Sequence, residues 1–171
     1  NYNNPQDNNG DGFTDVTLQN RISIFQKWKF NAKKHYKQAS IAGRYLYEDR
    51  WGGQMDWNSN FRGGDSLYGE SIYTSRWELL GLYQLPVDER IFVTGSLNRH
   101  QQISFYGNGP YMADPITGFT QLYWDKHLKN HDFIIGSAVR YINYDDNTPA
   151  TATNDSLNPE NMRSIQWIPG I

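Results

Sequence analysis

The chain has 171 residues and a formal net charge of −2, enough for one domain and without the basic excess that marks nucleic-acid binding. It has no cysteine, which excludes a disulfide framework and a thiolate metal centre. Mean hydropathy is −0.78, and no run of about 18 apolar residues occurs, which excludes a transmembrane helix but not a β-barrel, whose alternating strands average out as polar. Aromatic residues make up 15 % of the chain, with 12 Tyr and 6 Trp. Such rings suit membrane–water interfaces, and they suit a carbohydrate-binding sandwich as well.

The chain starts at Asn1 without Met or a signal peptide and ends on Trp167-Ile168-Pro169-Gly170-Ile171. Both ends look cut, so a fragment of a longer protein is expected. Residues 1–15 are rich in Asn, Asp and Gly and form a loop. Asp7, Asn9 and Asp11 alternate, Gly12 follows, and Asp15 comes next. This matches the first half of a calcium loop, in which alternate oxygens converge on one hard cation. Position twelve is Leu18 rather than Glu and a strand follows, so it is no EF-hand. Ca²⁺ held by Asp7, Asn9, Asp11 and Asp15 is one reading; a string of Asx turns is the other.

Val16 to Phe30 alternates with a period of two. Val16, Leu18, Ile22, Ile24, Trp28 and Phe30 are apolar, and Thr17, Gln19, Arg21, Ser23, Lys27 and Lys29 are polar. That is a strand with one apolar face. At about 3.3 Å per residue it spans about 50 Å, enough to cross a bilayer at a tilt of about 45°. Further alternating runs follow. Ala39, Ile41, Gly43, Tyr45 and Tyr47 share a face, as do Tyr73, Ser75, Trp77, Leu79, Gly81 and Tyr83. So do Ile91, Val93, Gly95 and Leu97, with Thr94, Ser96, Asn98, His100 and Gln102 opposite. The fifth run points Leu122, Trp124 and Leu128 outward, the sixth Phe133, Ile135, Val139 and Tyr141, and a last strand starts at Ser164. Tyr73 and Tyr83 lie about 24 Å apart along the membrane normal, close to the about 25 Å between the aromatic girdles of a barrel.

The pattern predicts an all-β fold: an antiparallel up-and-down meander of six to seven long strands, part of a transmembrane β-barrel. Short connections fall at 31–35, 85–89 and 129–131, long ones at 1–15, 48–72, 107–117 and 145–163. Outer-membrane barrels show this asymmetry of turns and loops. The long segments hold 13 acidic and 3 basic residues, a net −10, so the remainder carries +8 of the total −2. Acidic loops over a basic wall could hold divalent cations or draw a ligand inward, or the loops are simply solvated.

No nucleophile–base pair, phosphate loop or zinc signature appears, so no catalytic residue is assigned. His127 and His131 straddle a turn and do not converge on a metal. Arg44, Arg76, Glu78 and Arg140 are expected to form a charged inner wall. His100 faces the lumen, where a ligand could touch it or a neighbour could bond it. The aromatic loop is the best binding candidate, through Trp51, Trp57, Phe61 and Tyr68, because amphipathic rings on a loop give contact area at low entropic cost. Packing of that loop against its neighbours is the alternative.

Three stretches together carry a family likeness. Asp7-Asn8-Asn9-Gly10-Asp11-Gly12-Phe13-Thr14-Asp15-Val16-Thr17-Leu18-Gln19 leads into a long strand. Phe61-Arg62-Gly63-Gly64-Asp65 precedes Tyr68-Gly69-Glu70-Ser71. Asp145-Asp146-Asn147-Thr148-Pro149-Ala150-Thr151 precedes Leu157 and the terminal Pro169-Gly170-Ile171. In order and spacing they resemble TonB-dependent outer-membrane receptors of the Bacteroidota type, most closely the cobalamin-receptor-like members. The resemblance implies part of an about 22-stranded barrel closed by a plug. It implies a Gram-negative outer-membrane location and import of a scarce ligand (cobalamin, haem or a siderophore-like chelate) with energy from TonB. Outer-membrane lipid and a surface lipoprotein are further implied partners, and Arg62 joins the binding candidates. The chain lacks plug and TonB-contacting segments, so no plug residue is carried over. Two alternatives stand: a small complete barrel of adhesin or porin type, and a soluble carbohydrate-binding β-sandwich.

Overall fold

The computed structural model describes residues 1–31, 37–146 and 162–170. Alternation drives most of them into strands: β1 (Leu18–Asn31), β2 (Gln38–Gly53), β3 (Gly69–Gln84), β4 (Arg90–Tyr106), β5 (Gly109–Ala113), β6 (Ile116–Leu128), β7 (His131–Asp146) and β8 (Met162–Gly170). All eight lie in one antiparallel sheet. Each strand pairs with the next in chain order, except that β5 and β6 together flank β4 on one side and β7 on the other. The meander is as expected. Among the described residues no ladder joins β1 to β8, so these eight strands form an open sheet.

Two expected loops differ from the sequence reading. The expected loop over 107–117 is a tight hairpin, with Tyr106 opposite Gly109 and Gly107 at φ 60°. Pro110 and Pro115 read as breakers, yet neither stops the ladder. Pro110 faces Phe105 within β5, and Pro115 marks only the gap between β5 and β6, where its carbonyl accepts the His100 N–H at 3.0 Å. The register is the same on both sides of that gap, from Gln102–Ala113 to Arg99–Ile116. The expected loop over 48–72 is shorter, because the strands run on to Gly53 and begin again at Gly69. The parts of the expected connections at 32–36 and 147–161 lie outside the described residues.

Register decides which residues share a face. Ile24 stands opposite Tyr45, Tyr45 opposite Trp77, Trp77 opposite Arg99, Arg99 opposite Ile116, and Ile116 opposite Asn143. Two residues toward the turns, Gln26, Gly43, Leu79, Leu97, Gly118, Tyr141 and Trp167 share a row. The apolar sets of all the strands therefore fall on one continuous face. Its side chains cover nothing: Ile24 is 61 % exposed, Ile135 61 % and Trp167 67 %. The other face is mixed. Toward the turns it carries Leu80, Leu82, Phe119 and a stacked Phe92–Tyr123 pair at 5.0 Å, with Phe25 in the row of Arg44 and Glu78. Toward the loops it carries charge. Arg44 donates to Glu78 at 2.8 Å, Arg76 pairs with the same carboxylate, and Glu48 holds Arg50 at 2.7 Å and Arg21 at 3.4 Å. Arg140 shares that face, opposite Phe119 and away from the cluster.

Candidate ligand-binding site at the loop end

Two segments meet beyond the ends of β2 and β3. Gly53 and Gly69 face each other so closely that a Cβ on Gly53, whose φ is +151°, would lie 2.4 Å from the Gly69 Cα. The strands can approach there because Gly53 has no Cβ. The loop between them is closed by Gln54, whose N–H donates to the Tyr68 carbonyl at 2.9 Å and whose side chain accepts the Tyr68 N–H at 2.9 Å. The N-terminal segment is laced across it. Phe13 bridges Gln54, the Thr14 N–H donates to Gly53 at 2.8 Å, and the Met55 N–H donates to Gly12 at 2.9 Å.

These contacts frame an open cavity of about 340 Å³ on the mixed face, lined among others by Phe13, Arg50, Trp51, Tyr68, Glu70 and Ile72. The Phe13 and Tyr68 rings lie 6.5 Å apart and are both well exposed. The Tyr68 hydroxyl donates to Glu70 at 2.7 Å, and that bond pushes its ionisation above the ordinary phenol range. The cavity thus offers apolar ring faces, an anionic acceptor and a guanidinium side by side.

The sequence-derived candidates divide. Trp51 and Tyr68 line the cavity. Trp57 is only 8 % exposed and its indole lies over Gly69, where an added Cβ would come within 2.4 Å of Nε1. It is a packing residue and not a ligand surface. Phe61 closes a 3₁₀ turn (Ser59–Phe61), capped by the Asn58 side chain accepting the Asn60 N–H at 3.1 Å. Arg62 is held by Asp49 at 2.7 Å, and Gly63 packs on Phe105. Arg62 and Gly63 tie the loop to the sheet. His100 sits further down β4, opposite Arg76, with Nε2 3.4 Å from Gln102, and does not reach the cavity. The sequence reading did not single out Phe13, Arg50 and Glu70; the signal was Phe13, an isolated ring in a polar loop.

The Asp/Asn/Gly loop is built by hydrogen bonds. The Asp7 carboxylate accepts N–H groups from Gly10 at 2.7 Å, Asp11 at 3.2 Å and Gly12 at 2.9 Å. Those bonds, Gly12's first, hold its ionisation below the ordinary carboxylate range. Asn9 accepts from Asp11 at 3.0 Å, Asp11 from Phe13 at 2.8 Å, and Asp15 from Asn8 at 2.6 Å. Gly10 and Gly12 take φ of 76° and 82°, as such turns require. The carboxylates point at backbone donors and not at one centre. Among the described residues, no group of three or more acidic or His side chains converges to hold a metal. This is the Asx-turn arrangement, the second of the two readings of Asp7, Asn9, Asp11 and Asp15.

Compared with family models, with curated proteins and with solved structures, the chain matches none.

Proposed function

We propose that this chain is a run of wall strands from an outer-membrane β-barrel of the TonB-dependent receptor kind, with a loop end that contacts the imported ligand. The role is binding and transport rather than catalysis. The observation that carries the membrane reading is a diagonal. On β1 the apolar run spans Ile22 to Phe30; on β7 it spans Phe133 to Tyr141. The row of Phe30 passes through Ala39, Tyr83, Val93 and Leu122 and reaches β7 at Ser137, so the β7 run extends four residues further toward the turns, 137 against 133. A membrane is level and barrel strands tilt by about 40°, so its apolar band must slip by about one residue per strand. A solvated sheet has no cause for such a slip.

The rims of the band fit the same reading. Trp28, Phe30, Tyr83, Trp124 and Phe133 stand at the turn side. Trp124 donates its indole N–H to Glu89 at 3.0 Å, a polar tip anchored at the water boundary. At the loop side Tyr47 and Tyr73 meet edge to face at 5.5 Å, and Tyr141 lies 4.7 Å from Trp167. A complete eight-stranded barrel needs a β1–β8 ladder, which these strands do not form. The family, the ligand class and the use of TonB rest on the sequence resemblance. The cavity beside Phe13 and Tyr68 supports binding through the loop end.

The test is cysteine labelling in intact outer membranes of the source bacterium. Cysteines at Ile24, Leu79 and Ile135 are expected to resist a water-soluble maleimide until detergent is added, while one at Asp65 reacts from outside. Equal labelling at all four positions would exclude the membrane reading. Loss of ligand uptake on deleting the protein or TonB tests the transporter step.

A further inference from the structure

Charge is distributed unevenly over the mixed face. On its loop side Arg21, Arg44, Arg50 and Arg76 each pair with Glu48 or Glu78. Toward the turns Lys27 and Lys29 have no carboxylate partner among the described residues, and neither has Arg140. Arg140 stands in the row of Lys27, which runs on through Ala42, Leu80, Ser96 and Phe119. An open cavity of about 400 Å³ lies on that row, lined among others by Phe25, Leu80, Leu82, Phe119 and Lys27. A second cavity, of about 330 Å³, adjoins it. Lys27, Ser40 and Leu82 line both, while Lys29 and Gln38 line only the second. No carboxylate lines either one. The loop-end cavity is a different place: Arg50, which lines it, stands about 26 Å along β2 from Ala42.

We propose that the two adjoining cavities form one site for a small single-tailed amphiphile with an acidic head. The first cavity supplies apolar walls, whose burial under a tail removes water from both. The second supplies donors and no acceptor charge: two ammonium groups, the Ser40 hydroxyl and the Gln38 amide. An anion there makes charge-assisted hydrogen bonds that a neutral ligand cannot make, and a cation meets only like charge. The guanidiniums on the loop side offer no such site, because Glu48 and Glu78 already neutralise them. A lysine on an edge strand can serve merely to guard the edge. That does not account for Arg140, which lies in the same row on β7, between β6 and β8. The volume is within the about 300–1,000 Å³ of small-molecule sites, room for one tail and too little for the two tails of a membrane lipid. The site lies on the mixed face and does not depend on the medium that meets the apolar one.

The test uses the full-length protein in the cell fraction that holds it. The probe is decanoate with a light-activated diazirine at its tail, and labelled residues are mapped by mass spectrometry. Label is expected on Leu80, Leu82 or Phe119, and an excess of plain decanoate should suppress it. The same chain ending in an ammonium should label those residues about tenfold less, the loss of one charge-assisted bond. Lys27→Gln combined with Lys29→Gln should lower decanoate labelling there by a similar factor. Both side chains are exposed and bond to no described residue, so the fold does not rest on them. Ser96→Phe, which fills the apolar cavity and keeps both lysines, should remove the label. Equal labelling by the two heads, unchanged labelling in the lysine variant, or no label on the mixed face would each overturn the proposal. Suppression by phosphatidylglycerol vesicles as strong as by decanoate would assign the site to a membrane lipid and overturn it as well.

Discussion

Leu79 and Leu80 are neighbours on one strand with nearly equal exposure, 45 % and 41 %, yet they belong to different chemistries. Leu79 lies on the face where every strand contributes apolar side chains. Leu80 lies on the face that also carries the Arg44–Glu78–Arg76 cluster. The comparison teaches that exposure alone does not say what solvent a surface meets. An apolar patch of this size on a water-soluble sheet would be an interaction site or a liability. Facing lipid, it is the ordinary surface.

The sharpest way to break that comparison is one substitution made on each side. On the proposed barrel-wall reading, Leu79→Arg is expected to cost about 2–4 kcal/mol of folding stability in lipid vesicles, and Leu80→Arg about 0–1 kcal/mol, because on that reading only the first puts a charge in the bilayer. Equal costs in a urea titration would show that the two faces meet the same medium. Glycines give a second contrast. A Cβ on Gly136, on the mixed face, would lie 2.5 Å from the Leu122 carbonyl and 2.8 Å from the Tyr123 Cβ, whereas one on Gly81, on the apolar face, meets nothing within 4 Å. Gly136→Ala should destabilise by about 1–3 kcal/mol and Gly81→Ala by less than about 0.5 kcal/mol, read from the same titrations.

Glu78 sharpens the comparison from the polar side. Its side chain is 12 % exposed between two guanidiniums. Glu78→Gln leaves both without their counter-charge and should cost about 1–2 kcal/mol, less than a fully buried pair because both arginines reach water. A double-mutant cycle with Arg44→Ala measures the coupling. The smallest effect belongs to the N-terminal loop, away from both faces. Asp7 ionises below the ordinary carboxylate range when its N–H bonds are made. Its stabilisation of the loop is therefore complete above the unfolded carboxylate value and disappears as pH falls through the lower, folded one. Amide exchange at Gly10, Asp11 and Gly12 should accelerate over that acid window, and in Asp7→Ala at neutral pH, while the sheet is unchanged.

Much of the candidate site stayed illegible for a physical reason. Trp57 and Tyr68 look alike in sequence, two aromatics on one loop. Trp57 is buried because Gly69, twelve residues on, leaves room for its indole, and Tyr68 stands exposed beside Phe13 from the N-terminal segment with its hydroxyl bonded to Glu70. Likewise Asp7, Asn9 and Asp11 have the spacing of cation ligands, but spacing does not say whether oxygens turn toward a metal or toward their own backbone donors.

What the sequence determined by itself was local: the period of two, hence strands, hence an all-β meander, and within each strand the membership of its two faces. Alternation is a property of a few neighbouring residues, so the chain carries it without help. The tertiary structure alone decided what depends on pairing. A register shift of one residue would have sent any strand's apolar set to the opposite side. It is the ladders that unite Ile24, Trp77, Leu122 and Trp167 on one face, run the apolar band diagonally across the rows, and carry β4's partner through Pro115 where composition had promised a loop.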